Sequence, residues 1–240
     1  MSTRGSAAYE TVSVAIDVIR FLKSRYNYRK LSSMLGIPQS TLSRYVRGET
    51  VPSPKHVRRI LDWAESHLKP EQLVREYVNG EDLVELATIA AEPMLVRMLA
   101  GSAFETFSGR RILGVLSMDQ LVLPIATAFS LLTGTKLYQL SERPHWGREK
   151  SIPIVFRQGG EPYSGSGCLW CPSSIGEVGE GVLLMTLAVT QPSPLTEVLK
   201  TLEEKRVHVT GIFTLVAKRR VWNSLRVPVA CKKHAVLELS

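Results

Sequence analysis

The three cysteines are the residues with the clearest capacity for chemistry, because each stands at a spacing suited to metal binding. Cys168 and Cys171 form a C-x2-C pair, and Cys231 with His234 forms a C-x2-H pair. Four ligands of these types are the set that closes a structural zinc site. The spacing therefore predicts one structural zinc ion held by all four side chains.

Two alternatives compete with this zinc site. Cys168 and Cys171 are equally suited to a redox pair or a disulfide, and Cys231 and His234 are then incidental. In an extended strand, residues three apart point to opposite faces, which opposes joint ligation unless the chain turns there. Zinc, a disulfide and free thiols all stay open from the sequence.

A second chemical signal is the positive charge near the N-terminus. Residues 1–70 contain twelve Lys and Arg against five Asp and Glu, a net charge of +7 out of +8 for the whole chain. A basic segment joined to a nearly neutral remainder is typical of a module that binds a polyanion such as nucleic acid. A solvated basic face without a partner is the alternative.

Two short helices separated by a glycine are predicted within this basic segment. The first covers Tyr28–Leu35 and ends at Gly36, and the second covers residues 39–47. Two helices joined by a tight turn form a helix-turn-helix, whose second helix enters the major groove of DNA. Flanking helices are predicted over residues 11–25 and after Ser53, the expected N-cap.

Donor-rich side chains stay exposed when the apolar positions of these helices face inward. Those expected to bind DNA are Gln39, Ser40, Ser43, Arg44, Arg47, Arg29 and Lys30. Gln39 and Ser40, near the start of the second helix, are expected to read base edges, and Arg44 to contact a guanine or a phosphate. The remaining basic side chains are expected to hold phosphates. A helical bundle that only packs or binds protein is the alternative.

The stretch LSSMLGIPQSTLSRYVRG resembles the helix-turn-helix of the lambda-repressor-like family, and the likeness extends over residues 11–68. It departs from the family at Ser32, where alanine is more usual, and both side chains are small. The resemblance implies binding to double-stranded DNA.

Strands and helices alternate in the rest of the chain, which predicts an α/β domain with a mostly parallel sheet. The strands are expected at residues 111–116, 136–140, 181–188 and 207–217, and the helices at 121–132 and 195–205. A long helix perturbed at Pro93 is expected over residues 81–107. The Gly/Pro-rich residues 143–181 are expected to be irregular, as in a lid or hood. The predicted division is a DNA-binding domain at 1–69, a linker at 70–80 and the α/β domain at 81–240.

The order of these elements over residues 81–218 resembles the type I phosphoribosyltransferase fold. The family's acidic pair, which holds the ribose hydroxyls, falls on Thr186 and Leu187, and its phosphate loop falls on residues 190–194, which contain two prolines and no glycine. Such loops work through backbone N–H groups that proline lacks. The resemblance therefore implies a non-catalytic domain for dimerisation and sensing, as in archaeal regulators that join such a domain to a helix-turn-helix.

Hydroxyl and carboxyl groups stand where that fold binds its ligand. The candidates for ligand binding are Ser117, Asp119, Thr190 and Ser193. Asp119 is expected either to bind a ligand hydroxyl or to cap the following helix, and capping is favoured. A nucleotide or sugar phosphate is the expected effector.

The sequence as a whole predicts a cytoplasmic homodimer that binds a palindromic operator. It has no stretch of about 18 uninterrupted apolar residues and no visible export signal, so membrane spans and secretion are not expected. One alternative is an active phosphoribosyltransferase with a regulatory DNA-binding arm, and another is an RNA-binding attenuator.

Overall fold

The chain forms two compact units. The computed structural model describes residues 3–78, 86–144, 150–158 and 165–240. The first unit comprises Met1–Leu73 and Glu92–Leu95, and the second comprises Val74–Ala91 and Val96–Ser240. Among the described helices, none combines the length and the apolar content needed to cross a membrane.

Helices build the first unit. They are α1 (Thr3–Arg25), α2 (Tyr28–Leu35), α3 (Gln39–Val46), α4 (Pro54–His67) and α5 (Pro70–Glu76), the last of which begins in this unit and occupies most of the predicted linker. Each predicted helix is present, and α1 begins earlier than expected. Apolar side chains at helical spacing supply the core, and Phe21, Leu31, Leu42 and Ile60 are fully buried. Full burial of one such side chain contributes about 1.5–3 kcal/mol.

The helix ends carry the caps that stop fraying. Ser53 Oγ accepts a hydrogen bond from the His56 N–H at 3.4 Å, which confirms the predicted N-cap of α4. Asn27 caps α2 in the same way, since its side chain accepts from the Lys30 N–H at 2.9 Å. Such a cap stabilises a helix by about 1 kcal/mol.

The single helix predicted over residues 81–107 is wrong. The structure contains α6 (Leu86–Ile89) and, after a break, α7 (Pro93–Thr106), while residues 81–85 lie outside the described part. Proline has no N–H to donate, so it disrupts a helix interior but fits the first turn, where the N–H has no partner. Pro93 therefore begins a helix instead of perturbing one.

A parallel sheet of five strands forms the centre of the second unit. Its strands are β1 (Gly114–Ser117), β2 (Lys136–Gln139), β5 (Glu180–Val189), β6 (His208–Lys218) and β7 (Lys232–Leu239), in the order β2-β1-β5-β6-β7. Every neighbouring pair is parallel. The helices between these strands are α8 (Leu123–Thr133), α9 (Leu195–Glu204) and α10 (Arg219–Ser224). The predicted α/β class is confirmed.

Residues 143–181 are largely regular, so the prediction of an irregular hood is wrong where the segment is described. Strands β3 (Ser151–Gln158) and β4 (Gly165–Pro172) pair as an antiparallel hairpin, and a short 3-10 helix follows. Residues 145–149 and 159–164 lie outside the described part. Ile154 is buried and Val155 is exposed, the alternation of a half-buried strand. The glycines and prolines around this segment obscured that alternation.

Glycine is required at position 181, where β5 begins. Gly181 has φ of +85°, and a Cβ there would lie 2.6 Å from the Arg111 carbonyl oxygen. Its own carbonyl accepts from the Leu113 N–H at 2.7 Å. This close approach aligns the chain before β1 with β5, whose C-terminal ends form the groove described below.

Candidate DNA interface and ligand groove

The turn between α2 and α3 has the geometry of a helix-turn-helix. Gly36 adopts the left-handed conformation at φ +61° and its N–H donates to the Ser32 carbonyl at 2.9 Å. Leu31 and Leu35 of α2 are buried, and Ile37 is buried beside the turn. The glycine thus permits the sharp reversal, and the apolar side chains hold α3 at a fixed angle to α2.

Two polar contacts join this motif to α4. Arg59 Nη1 donates to the Gly36 carbonyl at 2.7 Å, and the Tyr45 hydroxyl lies 2.7 Å from His56 Nδ1 in a hydrogen bond. The first contact fixes the turn and the second fixes α3, which Leu42 also anchors through its buried side chain. The sequence reasoning missed both contacts, because they join residues 11 and 23 positions apart.

The side chains predicted to bind DNA lie at the surface of α2 and α3 and just after α3. Six of these side chains are exposed, namely Gln39, Ser40, Arg44, Arg47, Arg29 and Lys30. Ser43 is half-buried, so less of its side chain is accessible to DNA. Gln39 is the first residue of α3, the end that a recognition helix directs at base edges.

Arg47 forms an ion pair with an acidic neighbour. The Arg47 Nε lies 3.1 Å from Glu49 Oε1, and both side chains are largely exposed. Such an exposed ion pair contributes about 0–1 kcal/mol, so a phosphate can replace the carboxylate. Glu49 was missed by the sequence reasoning, although its place two residues after Arg47 was a visible signal.

Further positive charge lies on α4, on side chains that the sequence reasoning did not assign. Lys55, Arg58 and Arg59 line an open cavity of about 490 Å³ together with Pro54 and Asp62. Their spacing of three and four residues places them on one helical face, which was a signal available in the sequence.

The second unit has a groove at the C-terminal ends of β1 and β5. It has a volume of about 310 Å³ and is lined by residues 118, 119, 121, 186–191 and 193–195. This is the edge at which open α/β sheets bind their ligands. The structure places three predicted ligand residues in the lining, which are Asp119, Thr190 and Ser193.

Asp119 provides the one carboxylate in that lining, and the protein itself occupies both of its oxygens. Oδ1 accepts from the Val122 N–H at 2.8 Å, so Asp119 stabilises the turn before α8, whose N-cap residue is Val122 itself. Oδ2 accepts from the Thr186 hydroxyl at 3.1 Å and from the Leu187 N–H at 2.8 Å. The carboxylate therefore lies against Thr186 and Leu187, the two positions on which the sequence resemblance places the acidic pair of phosphoribosyltransferases, and both of its oxygens already have donors.

The hydroxyls predicted to bind a ligand differ in their surroundings. Ser117 is fully buried and donates to the Asp119 carbonyl at 2.8 Å, so it supports the loop from behind. Ser193 Oγ is enclosed and has no hydrogen-bond partner. Thr190 is half-buried in the groove wall. Pro192 and Pro194 remove two N–H donors from the same loop.

The structure does not bring Cys168, Cys171, Cys231 and His234, the four residues predicted to bind zinc, together as one group of ligands. Across the described residues, no group of three or more His, Cys, Asp or Glu side chains is placed to hold a metal ion. The first two lie on β4 of the hairpin, whereas Cys231 lies just before β7 and His234 lies on β7 in the five-stranded sheet. The three cysteines form no disulfide.

The surroundings of the second pair disfavour the charged forms of both side chains. Burial raises the pKa of the Cys231 thiol to about 11, against the smaller opposing effects of Arg110 and Lys233. The His234 ring stacks on Phe213, and burial together with the nearby Lys232 lowers its pKa.

Comparison with known families identifies the first motif. Residues 22–62 match the Helix-turn-helix family model. The chain therefore carries a lambda-repressor-like helix-turn-helix at the position predicted from the sequence. No curated protein matches the chain in sequence.

Comparison with solved structures identifies the fold of the rest. Adenine phosphoribosyltransferase from Rhodothermus marinus is 12% identical, with a TM-score of 0.55 over 71% of this chain and 98% of that chain. The Saccharomyces cerevisiae enzyme is 10% identical, with a TM-score of 0.54 over 70% and 98%. The Leishmania tarentolae enzyme is 10% identical, with a TM-score of 0.53 over 72% and 88%. Identities this low show a shared type I phosphoribosyltransferase fold and leave activity to be argued from the groove.

Proposed function

We propose that this protein is a transcription regulator that binds a specific DNA sequence as a homodimer in the cytoplasm. The observation that carries the proposal is the helix-turn-helix, whose α3 presents exposed donors in a strongly basic unit. A motif of this kind favours duplex DNA over the RNA of an attenuator, since a recognition helix fits the major groove of B-form DNA.

In the proposed complex the start of α3 enters the major groove. Gln39 and Ser40 face base edges, where a glutamine amide pairs with adenine and a serine hydroxyl accepts or donates. Arg44, one turn further along, contacts a guanine or a phosphate. Arg47 exchanges its contact with Glu49 for a contact with a phosphate. Arg29 on α2 contacts a neighbouring phosphate of the DNA backbone.

The homodimer explains how so small a motif reaches useful specificity. One recognition helix reads only a few base pairs, whereas two copies read a palindrome whose half-sites lie about 34 Å apart. The second unit, which has a large core of its own, is the part proposed to pair.

The second unit is proposed to be non-catalytic. A transferase of this fold needs free carboxylates for the ribose hydroxyls and a loop rich in N–H donors for phosphate. Thr186 and Leu187 supply no carboxylate, and Asp119 is held by three protein donors. The prolines of the loop reduce its donors further.

The groove is instead proposed to bind an effector, a nucleotide or a sugar phosphate. Ser193 Oγ supports this role, because an enclosed hydroxyl without a partner is costly unless a ligand or water satisfies it. Thr190 adds a second hydroxyl on the same loop. Differential scanning fluorimetry with nucleotides and sugar phosphates tests the proposal, and Ser193→Ala should abolish any stabilisation found.

DNA binding is tested by selecting duplexes from a random pool and titrating the selected site. Gln39→Ala and Arg44→Ala should each weaken specific binding by about 1–3 kcal/mol. Arg226→Ala removes the same charge as the Arg44 variant from an exposed position in the second unit, and should leave the affinity unchanged. Equal affinities for wild type and both α3 variants, with helicity intact by circular dichroism, would place the DNA contact elsewhere.

The shared fold favours one rival function, an active phosphoribosyltransferase with a regulatory DNA-binding arm. Incubation with phosphoribosyl diphosphate and each common base or orotate distinguishes the two. The non-catalytic proposal expects no nucleotide above background. Turnover that scales with protein concentration and survives repurification would establish the rival.

A further inference from the structure

We propose that two copies of this chain pair through the outer face of α8, an inference that rests on the dimer proposed above. This α8 face consists of Leu121, Ala128, Leu131 and Leu132. Leu131 is 81% exposed and Leu132 is 60% exposed, while Leu121, just before the helix, is 40% exposed. Large apolar side chains grouped on one exposed helix mark a contact surface.

The side chains on two sides of α8 are apolar, which is typical of a helix that is buried on both of those sides. Its inner side, with Ile125, Ala126 and Phe129, is buried against the sheet. The α8 face lies on another side of the same helix and is also apolar. A helix in solution normally keeps one polar side, whereas one that is apolar all round is buried all round.

The few polar side chains of α8 do not turn its surface toward water. Thr127 Oγ1 donates to the Leu123 carbonyl at 2.8 Å, and Thr133 Oγ1 donates to the Phe129 carbonyl at 2.8 Å. Ser130 Oγ donates to the carbonyl of Thr135, which follows the helix. Each hydroxyl of α8 is therefore satisfied within the chain, as Ser and Thr are when a helix is removed from solvent.

Charge indicates that the partner is a second copy. Residues 120–135 contain no Asp, Glu, Lys, Arg or His, in a chain whose net charge is +8. A two-fold axis brings a surface against itself, so a charged patch repels its copy and an uncharged apolar patch does not. An unrelated partner of so basic a chain would gain from acidic complementarity, and the α8 face offers no positive charge to attract it.

The test is analytical ultracentrifugation of the full chain over a concentration series. The double variant Leu131→Glu with Leu132→Glu places four carboxylates at the pairing surface, and should raise the dimer dissociation constant at least ~100-fold. The matched control is Val155→Glu, which adds charge at a 65% exposed apolar position on β3 and should leave the constant unchanged. Leu131→Gln, a milder change, should give an intermediate constant and decides the matter if the double variant fails to fold.

A wild-type monomer, or a dissociation constant unaffected by the α8 variants, would overturn the inference. A selected duplex with two half-sites, and a single half-site, separate this result from the regulator proposal. If the folded α8 variants stay dimeric and still bind the full site, the interface is elsewhere and the regulator stands. If they dissociate but wild type binds no DNA, the interface stands and the regulator proposal fails.

Discussion

Replacing Asp119 tests how the groove is closed to transferase chemistry. Asp119→Ala removes the acceptor for three donors, the Val122 and Leu187 N–H groups and the Thr186 hydroxyl. Asp119→Asn keeps one oxygen that can accept hydrogen bonds. The donors on the other side of the group face the amide NH2 and lose their acceptor.

The magnitude follows from the number of bonds and from burial. Hydrogen bonds to a charged group contribute about 1.5–3 kcal/mol each, and a buried donor left without a partner adds to the loss. Asp119 is half-buried, so water replaces part of what is removed. We expect Asp119→Ala to cost about 2–4 kcal/mol and Asp119→Asn about half as much. For a domain of this size that corresponds to a fall in Tm of about 4–16 °C for the alanine variant.

Thermal unfolding followed by near-ultraviolet circular dichroism measures the effect. Asp62→Ala is the control, because it removes the same charge from an exposed position on α4 in the first unit. Equal Tm values for Asp119→Ala and the control would refute the conclusion that the carboxylate fastens the loop to β5. Transferase activity in the wild-type protein that Asp119→Ala abolishes would refute the non-catalytic groove.

Three further outcomes are expected. Gly36→Ala should lower the stability of the first unit by about 1–2 kcal/mol, because φ of +61° is strained for alanine; an unchanged unfolding curve in urea would contradict this. Glu49→Gln should strengthen DNA binding by about 0.5–1 kcal/mol in an anisotropy titration, because it releases Arg47 from its ion pair; weaker binding would show that Glu49 positions the arginine. Iodoacetamide at pH 8 should modify Cys168 well before Cys231, which is buried and whose raised pKa of about 11 keeps its thiol protonated until the pH approaches that value; equal rates by mass spectrometry would contradict the burial.

The sequence alone was enough to predict the helix-turn-helix and the α/β class. Local signals decide these features, since apolar spacing, the cap at Ser53 and the turn glycine at Gly36 act within a few residues. The exposed set on α3 follows from the same periodicity. The predicted strands likewise came from short apolar runs, which reflect burial on both faces of a parallel sheet.

The features that were predicted wrongly, or not predicted at all, depend on distant residues or on the local effects of Gly and Pro. The start of a helix at Pro93 and the hairpin of β3 and β4 were hidden by Gly and Pro, whose effect depends on position within an element. The four residues predicted to bind zinc were grouped by their spacing along the chain, whereas the fold places Cys168 and Cys171 on β4, His234 on β7 and Cys231 just before β7.

Tertiary structure alone decided the state of the groove and of α8. Asp119 meets its Thr186 and Leu187 donors across 67 and 68 residues, because β1 and β5 are neighbours in the sheet. The apolar run of α8 was readable as a helix, but which of its leucines face outward depends on how it packs on β1 and β2. Periodicity predicts which side chains share a face, whereas only the packed sheet decides which face is covered.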